Sequence, residues 1–180
     1  MRKLTLPELR RLSVGQFKSS EKVPIVVVLD NIRSQNNTGS VFRTADAFRL
    51  EAVFLCGITA VPPHREITKT ALGATESVDW SYFPTTREAV ESLKSRGYRI
   101  IAVEQAEGSV MLQDFHPRPG EKLAVIFGNE VNGIDDDLFA LADTALEIPQ
   151  FGTKHSINVS VAVGIVLWEL FVRTGGLKIT

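Results

Sequence analysis

This chain predicts an α/β fold, a mostly parallel sheet with helices on both faces, and three observations carry that prediction. Residues 24–30 (PIVVVLD) form a continuous β-branched run ending in a polar turn, the mark of a strand buried on both faces. Further apolar runs of strand length alternate with segments of helical period. Three polar segments, 37–43 (NTGSVFR), 127–134 (FGNEVNGI) and 156–159 (SINV), each adjoin a run that reads as a buried element. In α/β proteins the rim at the carboxyl ends of the strands is where ligands bind. If the three segments converge there, a guanidinium, a carboxylate, a hydroxyl and two amides would meet in a site.

The elements follow in order. After the first strand, residues 36–48 read as helix, with Val41, Ala45 and Phe48 on one face. Residues 52–56 form a second strand, 66–72 a short helical stretch and 80–83 a weak strand. Residues 85–95 have helical spacing, with Ala89, Val90 and Leu93 inward and Gly97 as a stop. Strands are expected at 99–104 and 123–128, separated by a polar loop holding Pro117 and Pro119. Three acids open a helix at 135–142, where they suit the positive end of the dipole. A last strand at 145–149 and a closing helix at 156–173 complete the chain, and the region 108–122 is the least committed.

At 180 residues the chain suits one domain, 1–180, with a short basic helical segment at about 1–22. Apolar content of 44% and charged content of 23% match an ordinary globular protein. A formal net charge of -1 excludes global attraction to nucleic acid but not a local basic patch. Arg2, Lys3, Arg10, Arg11, Lys18 and Lys22 supply one, although a solvated amphipathic helix around Leu4, Leu9 and Leu12 explains them equally well. Cys56 is the one cysteine, so an intrachain disulfide and a multi-thiolate metal site are both excluded; it reads as a small core residue. His64, His116 and His155 lack ligand spacing. With no apolar leader in the first fifteen residues and no membrane-length run, the expectation is a cytoplasmic protein without metal or membrane.

Several α/β chemistries lack their motifs. The turn after the first strand is DNIRSQN rather than G-x-G-x-x-G, no phosphate-binding G-x-x-x-x-G-K-[ST] occurs, and no G-x-S-x-G elbow supplies a nucleophile. Each polar segment also has a purely structural reading. Asn36 or Asn37 could cap the following helix, the glycines of 128–133 could serve a turn, and Ser156 could cap the last helix.

Taken in order, however, the segments resemble the signature of the SpoU/TrmH family of RNA ribose 2′-O-methyltransferases, within the SPOUT superfamily. Its first motif has an Asn followed six residues later by an Arg, here Asn37 and Arg43 in NNTGSVFRTADAF. The second is an apolar strand leading into G-x-E-x-x-G, here LAVIFGNEVNGI. The third is Ile-Pro, a short gap and Ser-x-Asn, here IPQFGTKHSINVSVA. Arg49-Leu50 stands where a Gly often follows the first motif's Phe, and Ile157 replaces the commoner Leu.

The resemblance implies a C-terminal trefoil knot, with residues 128–149 carrying the crossing segments. It implies S-adenosylmethionine held largely by main-chain groups at Val103, Glu104, Phe127, Gly128, Ile148, Ser156 and Ile157. A missing Cβ at Gly128 would let the chain approach that cofactor. It implies methyl transfer to a ribose 2′-hydroxyl by a site of Arg43, Asn37, Glu130, Ser156 and Asn158. Arg43 would be base or activating group, or would grip the phosphate beside the target ribose. A guanidinium is a poor base but suits bidentate phosphate contact. The other four would orient Arg43 and the ribose, with Glu130 pairing Arg43. Family enzymes are homodimers, so the first motif of one subunit would approach the cofactor of the other, with the apolar last helix (Trp168, Leu170, Phe171) supplying part of the interface or else packing into the core. Only about thirty residues precede the first motif, too few for an added RNA-binding domain. RNA would then be held by the dimer and by Arg10, Arg11, Lys18 and Arg43, with tRNA the first choice of substrate and rRNA the alternative. A non-catalytic RNA-binding or ribosome-assembly protein of the same fold, and a small-molecule α/β enzyme, are the competing readings.

Overall fold

The computed structural model describes residues 1–5 and 7–176. After a 3-10 turn at Pro7–Leu9, helix α1 spans Val14–Ser19; Ser13 and Gln16 close a reciprocal capping box and Phe17 is the buried anchor. Among the described residues, Leu4 and Leu12 lie outside any helix and Leu9 closes the 3-10 turn, so the helical part of this segment is that turn and α1. Strand β1 (Val23–Asp30), helix α2 (Gln35–Ala47), strand β2 (Leu50–Cys56), helices α3 (Arg65–Ala71) and α4 (Ala74–Ser77), and strand β3 (Asp79–Phe83) form the first half. Helix α5 (Thr86–Ser95), strands β4 (Arg99–Val103), β5 (Val110–Met111) and β6 (Leu123–Phe127), helix α6 (Asp136–Phe139), strand β7 (Thr144–Glu147) and helix α7 (Val159–Arg173) form the second.

The seven strands lie in the order β3-β2-β1-β6-β4-β7-β5, and every pairing is parallel. Both faces are covered, as a parallel sheet requires. Ile25, Val27 and Leu29 of β1 pack into the core under α2 and α7, while Val26 and Val28 join the core under α5. Cys56 is fully buried in that second layer, and burial pushes its thiol up to about 12, as befits an inert core residue.

Four boundaries differ from the sequence reading, each for a local reason. Ser34 caps α2 by accepting from the Asn37 amide, which leaves Asn36 and Asn37 inside the helix. Asn158, not Ser156, caps α7, its Oδ1 accepting from the Ser160 and Val161 amides. Helix α6 is a single turn, since Asp143 instead ties its carboxylate to the Ile100 amide at the start of β4. The expected loop at 108–122 contains β5 and a 3-10 turn, Leu112–Asp114, anchored by buried Leu112 and Phe115. A two-residue strand is too short to leave a period in sequence.

Chain order sets the position of the site. From β1 the chain proceeds outward through β2 to β3, then crosses to β4 and returns to insert β6 between β1 and β4. That reversal creates a switch point at the carboxyl ends of β1 and β6, where the connecting loops diverge and leave a crevice. The loop after β1 and the loop after β6 both border it.

Candidate active site

Two loops knit together over the switch point. Asn129 Nδ2 donates to the Asn31 carbonyl at 2.8 Å, while its Oδ1 accepts from the Val131 and Asn132 amides at 2.9 and 3.3 Å. Asn129 and Gly133 exchange backbone hydrogen bonds in both directions, closing a tight hairpin that carries Glu130 at its tip. Gly133 takes φ +70°, a conformation that favours glycine.

Glu130 reaches across to the first turn of α2. Its carboxylate accepts from the Arg33 amide at 3.1 Å, the Ser34 amide at 3.4 Å and Asn37 Nδ2 at 3.4 Å. Asn158 Nδ2 then donates to Asn37 Oδ1 at 3.3 Å. One residue from each of the three motifs thus joins a single hydrogen-bonded chain, Asn158–Asn37–Glu130, between residues more than ninety positions apart in sequence. Partial burial alone would raise the Glu130 carboxyl, but the donors from Arg33, Ser34 and Asn37 outweigh it and hold it below its ordinary value.

A carboxyl lowered by native hydrogen bonds stabilises the fold above its unfolded pKa, and that contribution disappears as pH falls through the folded value. Glu130→Gln keeps one acceptor oxygen and loses the charge. It is expected to melt below the parent at pH 7, with the difference shrinking as pH falls below the ordinary carboxylate range. Thermal melts from pH 7 to 3 test this, and a difference constant with pH would refute it.

Arg43 does not join this chain. Six residues along α2 from Asn37, it lies roughly 9 Å further up the axis and roughly 120° around it. No Arg43–Glu130 ion pair exists among the described residues, so the pairing expected from sequence does not form within one subunit. Arg43 is exposed in a groove of about 610 Å³ between α2, α3 and α7, with Phe48, Lys69 and Gly164 among its walls. Beside that groove α7 exposes Val161, Ile165, Trp168 and Val172, an apolar stripe at helical spacing. Leu170 is fully buried and so takes the core-packing alternative, and Phe171 stacks on Phe48 with centroids 5.2 Å apart. Ser156 is exposed in the loop before α7 and makes no hydrogen bond among the described residues.

The residues expected to hold the cofactor gather at three adjacent strand ends. Val103 closes β4 in register with Phe127 of β6 and Leu146 of β7; Gly128, Ile148 and Ile157 lie on the loops that leave those strands. Val103 and Ile148 are half-buried and pack on the core at this edge. Two members also have structural roles. The Glu104 carboxylate accepts from the Ile134 and Gln105 amides, so this side chain braces the hairpin. The space beside the Gly128 Cα is filled by the chain itself, because a Cβ there would stand 2.5 Å from the Gly133 carbonyl carbon.

Sequence reasoning overlooked a second polar group at the end of β1. Asp30 is 3% exposed and accepts from Thr86 Oγ1 and from Asn31 Nδ2. Burial raises its carboxyl, against the lowering effect of the Thr86 hydrogen bond. An acid closing an otherwise apolar strand was the available signal.

Comparison with known proteins now bears on this geometry. The SpoU rRNA methylase family matches residues 24–168, a span that contains all three segments of the hydrogen-bonded chain. The protein belongs to this family. Among SpoU relatives, a tRNA (guanosine(18)-2′-O)-methyltransferase of Thermus thermophilus is 33% identical over 164 residues, covering 90% of this chain and 81% of that enzyme. An AdoMet-bound rRNA methyltransferase structure from Sinorhizobium meliloti superposes with TM-score 0.78 at 27% identity, over 84% of this chain and 57% of its own. A structure described as giving insight into 2-OH methylation of C/U34 on tRNA superposes at TM-score 0.74 and 26% identity, over 85% of this chain and 99% of its own. Other curated relatives are longer, and this chain spans 62% of one and 57% of another. Among the described residues no helix is long and apolar enough to cross a membrane, and no cluster of His, Cys, Asp and Glu could hold a metal ion.

Proposed function

We propose that this protein transfers a methyl group from S-adenosylmethionine to a ribose 2′-hydroxyl of RNA. The carrying observation is the Asn158–Asn37–Glu130 chain, which ties all three family motifs together at the switch point. The cofactor supplies an electrophilic sulfonium methyl; the loops after β4, β6 and β7 would hold it. A 2′-hydroxyl is a weak nucleophile and must be oriented and polarised to attack. Asn37, held by Glu130, and Asn158, bonded in turn to Asn37, would hold the ribose, with Ser156 nearby in sequence as a further hydroxyl. Arg43 is assigned the phosphate beside that ribose, which a planar guanidinium can grip through two parallel hydrogen bonds.

Arg43 faces away from its own subunit's chain, and this supports a homodimer in which it serves the partner's cofactor loops. The exposed stripe of α7 beside Arg43 is the surface proposed for that contact. The single domain at 1–180, the trefoil crossing, with α6 and α7 on opposite faces of the sheet, and a cytoplasmic location belong to the same proposal. RNA would also be held by Arg10, Arg11 and Lys18 on the N-terminal segment. tRNA is the preferred substrate because a relative 33% identical, matched over 81% of its own length, is named for tRNA.

Isothermal titration with S-adenosylmethionine, followed by labelled methyl transfer to total tRNA and to rRNA, tests the reaction. RNA binding without transfer would favour a scaffold, and no cofactor binding would favour another enzyme class. The composite site has its own test. Mixing Arg43→Ala subunits with Ile157→Asp subunits, each inactive alone, is expected to restore activity, because each heterodimer assembles one intact site of two. No recovery on mixing, or a monomer at working concentration, would overturn it.

A further inference from the structure

A cavity of about 370 Å³ opens at the switch point on the β2 side of the two knitted loops, lined by Asp30, Asn31, Arg33, Ile58, Val131 and Asp135 among others. Its rim is apolar and exposed, with Ile58 65% and Val131 69% accessible, although each adjoins an otherwise well-packed strand end. Its floor is polar and held in place. Asn31 sits at φ +54°, fixed by donating to Asp30 and by accepting from the Ile58 amide at 3.1 Å. Asp30 spends Oδ1 on Thr86 and Asn31, whereas its Oδ2 accepts nothing among the described residues, and the residue lines the cavity. The side chains of Arg33 and Asp135 likewise have no hydrogen-bond partner among the described residues.

Resting on the reading of the protein as an RNA methyltransferase, we propose that this cavity is a nucleobase pocket that selects guanine. Two carboxylates repel an RNA backbone, so the part of RNA they can accept is a base edge rich in N–H donors. Guanine presents N1–H and N2–H2 side by side on its Watson–Crick edge, matching the two free oxygens of exposed Asp135, while Asp30 has only Oδ2 to offer. Its O6 and N7 together suit a guanidinium such as Arg33. Ile58 and Val131 would contact the faces of the ring, as apolar side chains do around an extruded base. Adenine, with an acceptor at N1, and the pyrimidines, with a single edge donor, fit this floor less well.

The test uses nucleotides as probes, followed by amide chemical shifts of the intact protein. GMP is expected to perturb Asn31, Val131 and Asp135 and to saturate at concentrations about tenfold below those for AMP, CMP and UMP, the discrimination of one good bidentate pair. IMP, which lacks the N2 amine, should fall between. Ile58→Trp, a surface change that fills the mouth from outside the 129–133 hairpin, should abolish the GMP response and raise KM for RNA while leaving S-adenosylmethionine affinity unchanged. Asp135→Asn should narrow the preference for GMP. Equal responses to all four nucleotides, shifts confined elsewhere, or an Ile58→Trp protein that still binds GMP would overturn the pocket. Failure of the wild-type protein to methylate any RNA would overturn the reaction instead, and the GMP titration would still decide the pocket by itself.

Discussion

Replacing Arg43 by alanine is expected to slow single-turnover methyl transfer by about 10²-fold or more, the scale of a lost positioning or acid–base group. Melting temperature and S-adenosylmethionine affinity should stay unchanged. The separation follows from where α2 packs. Its buried face is Thr38, Gly39, Val41, Phe42 and Ala45, and cutting fully buried Phe42 to alanine would cost about 3–5 kcal/mol. Arg43, one residue later, is exposed and without an ion-pair partner among the described residues, so its loss should fall within about 0.5 kcal/mol. Arg43→Lys distinguishes the ways it could act. A lysine retains the charge but not the planar fork. Substantial rescue by lysine would point to simple attraction of phosphate, and none would point to bidentate geometry or proton transfer. Near-normal turnover in Arg43→Ala would remove Arg43 from the site altogether.

The fold was legible in sequence wherever burial leaves a pattern. Residues 24–30 read as a strand buried on both sides because every residue from Ile25 to Asp30 is buried. The inward face of α5, Ala89, Val90 and Leu93, was visible for the same reason. What escaped was decided by single hydrogen bonds. Whether Ser34 or Asn36 caps α2, and whether Ser156 or Asn158 caps α7, depends on backbone angles at one residue, and serine and asparagine serve almost equally well as caps. The site divides similarly. Asn37, Glu130 and Asn158 could be grouped from the order of the motifs, and they do touch. Arg43 shares a motif with Asn37 but not a helix face, and a motif written along one line conceals the rotation between them. Asp30 went unremarked because a buried acid differs in sequence from a turn acid only through its partner, and Thr86 lies 56 residues away.

Gly128→Val is expected to abolish S-adenosylmethionine binding, and the structure changes the reason. Sequence suggested that the missing Cβ makes room for the cofactor. In the fold, a Cβ at residue 128 would meet the Gly133 carbonyl carbon at 2.5 Å, its oxygen at 2.7 Å and Ile134 Cγ1 at 2.7 Å. Two of those atoms are backbone in the Asn129–Gly133 hairpin, so the hairpin must open for any side chain to fit. Overpacking of this kind costs about 1–3 kcal/mol. Opening the hairpin withdraws Glu130 from the Arg33 and Ser34 amides and releases Asn37, so the loops proposed to hold the cofactor and the residues proposed to hold the ribose should fail together. Gly133→Ala is the informative control. Its Cβ would meet Glu104 Oε2 at 2.5 Å, the far end of a flexible side chain that can move away, although φ +70° leaves some strain. The expected order of cofactor affinity is therefore wild type, then Gly133→Ala, then Gly128→Ala, with none detectable for Gly128→Val. Hydrogen exchange at residues 129–133 should accelerate in the same order. Tight cofactor binding by Gly128→Val would mean that neither the hairpin nor the Gly128 backbone belongs to the cofactor site.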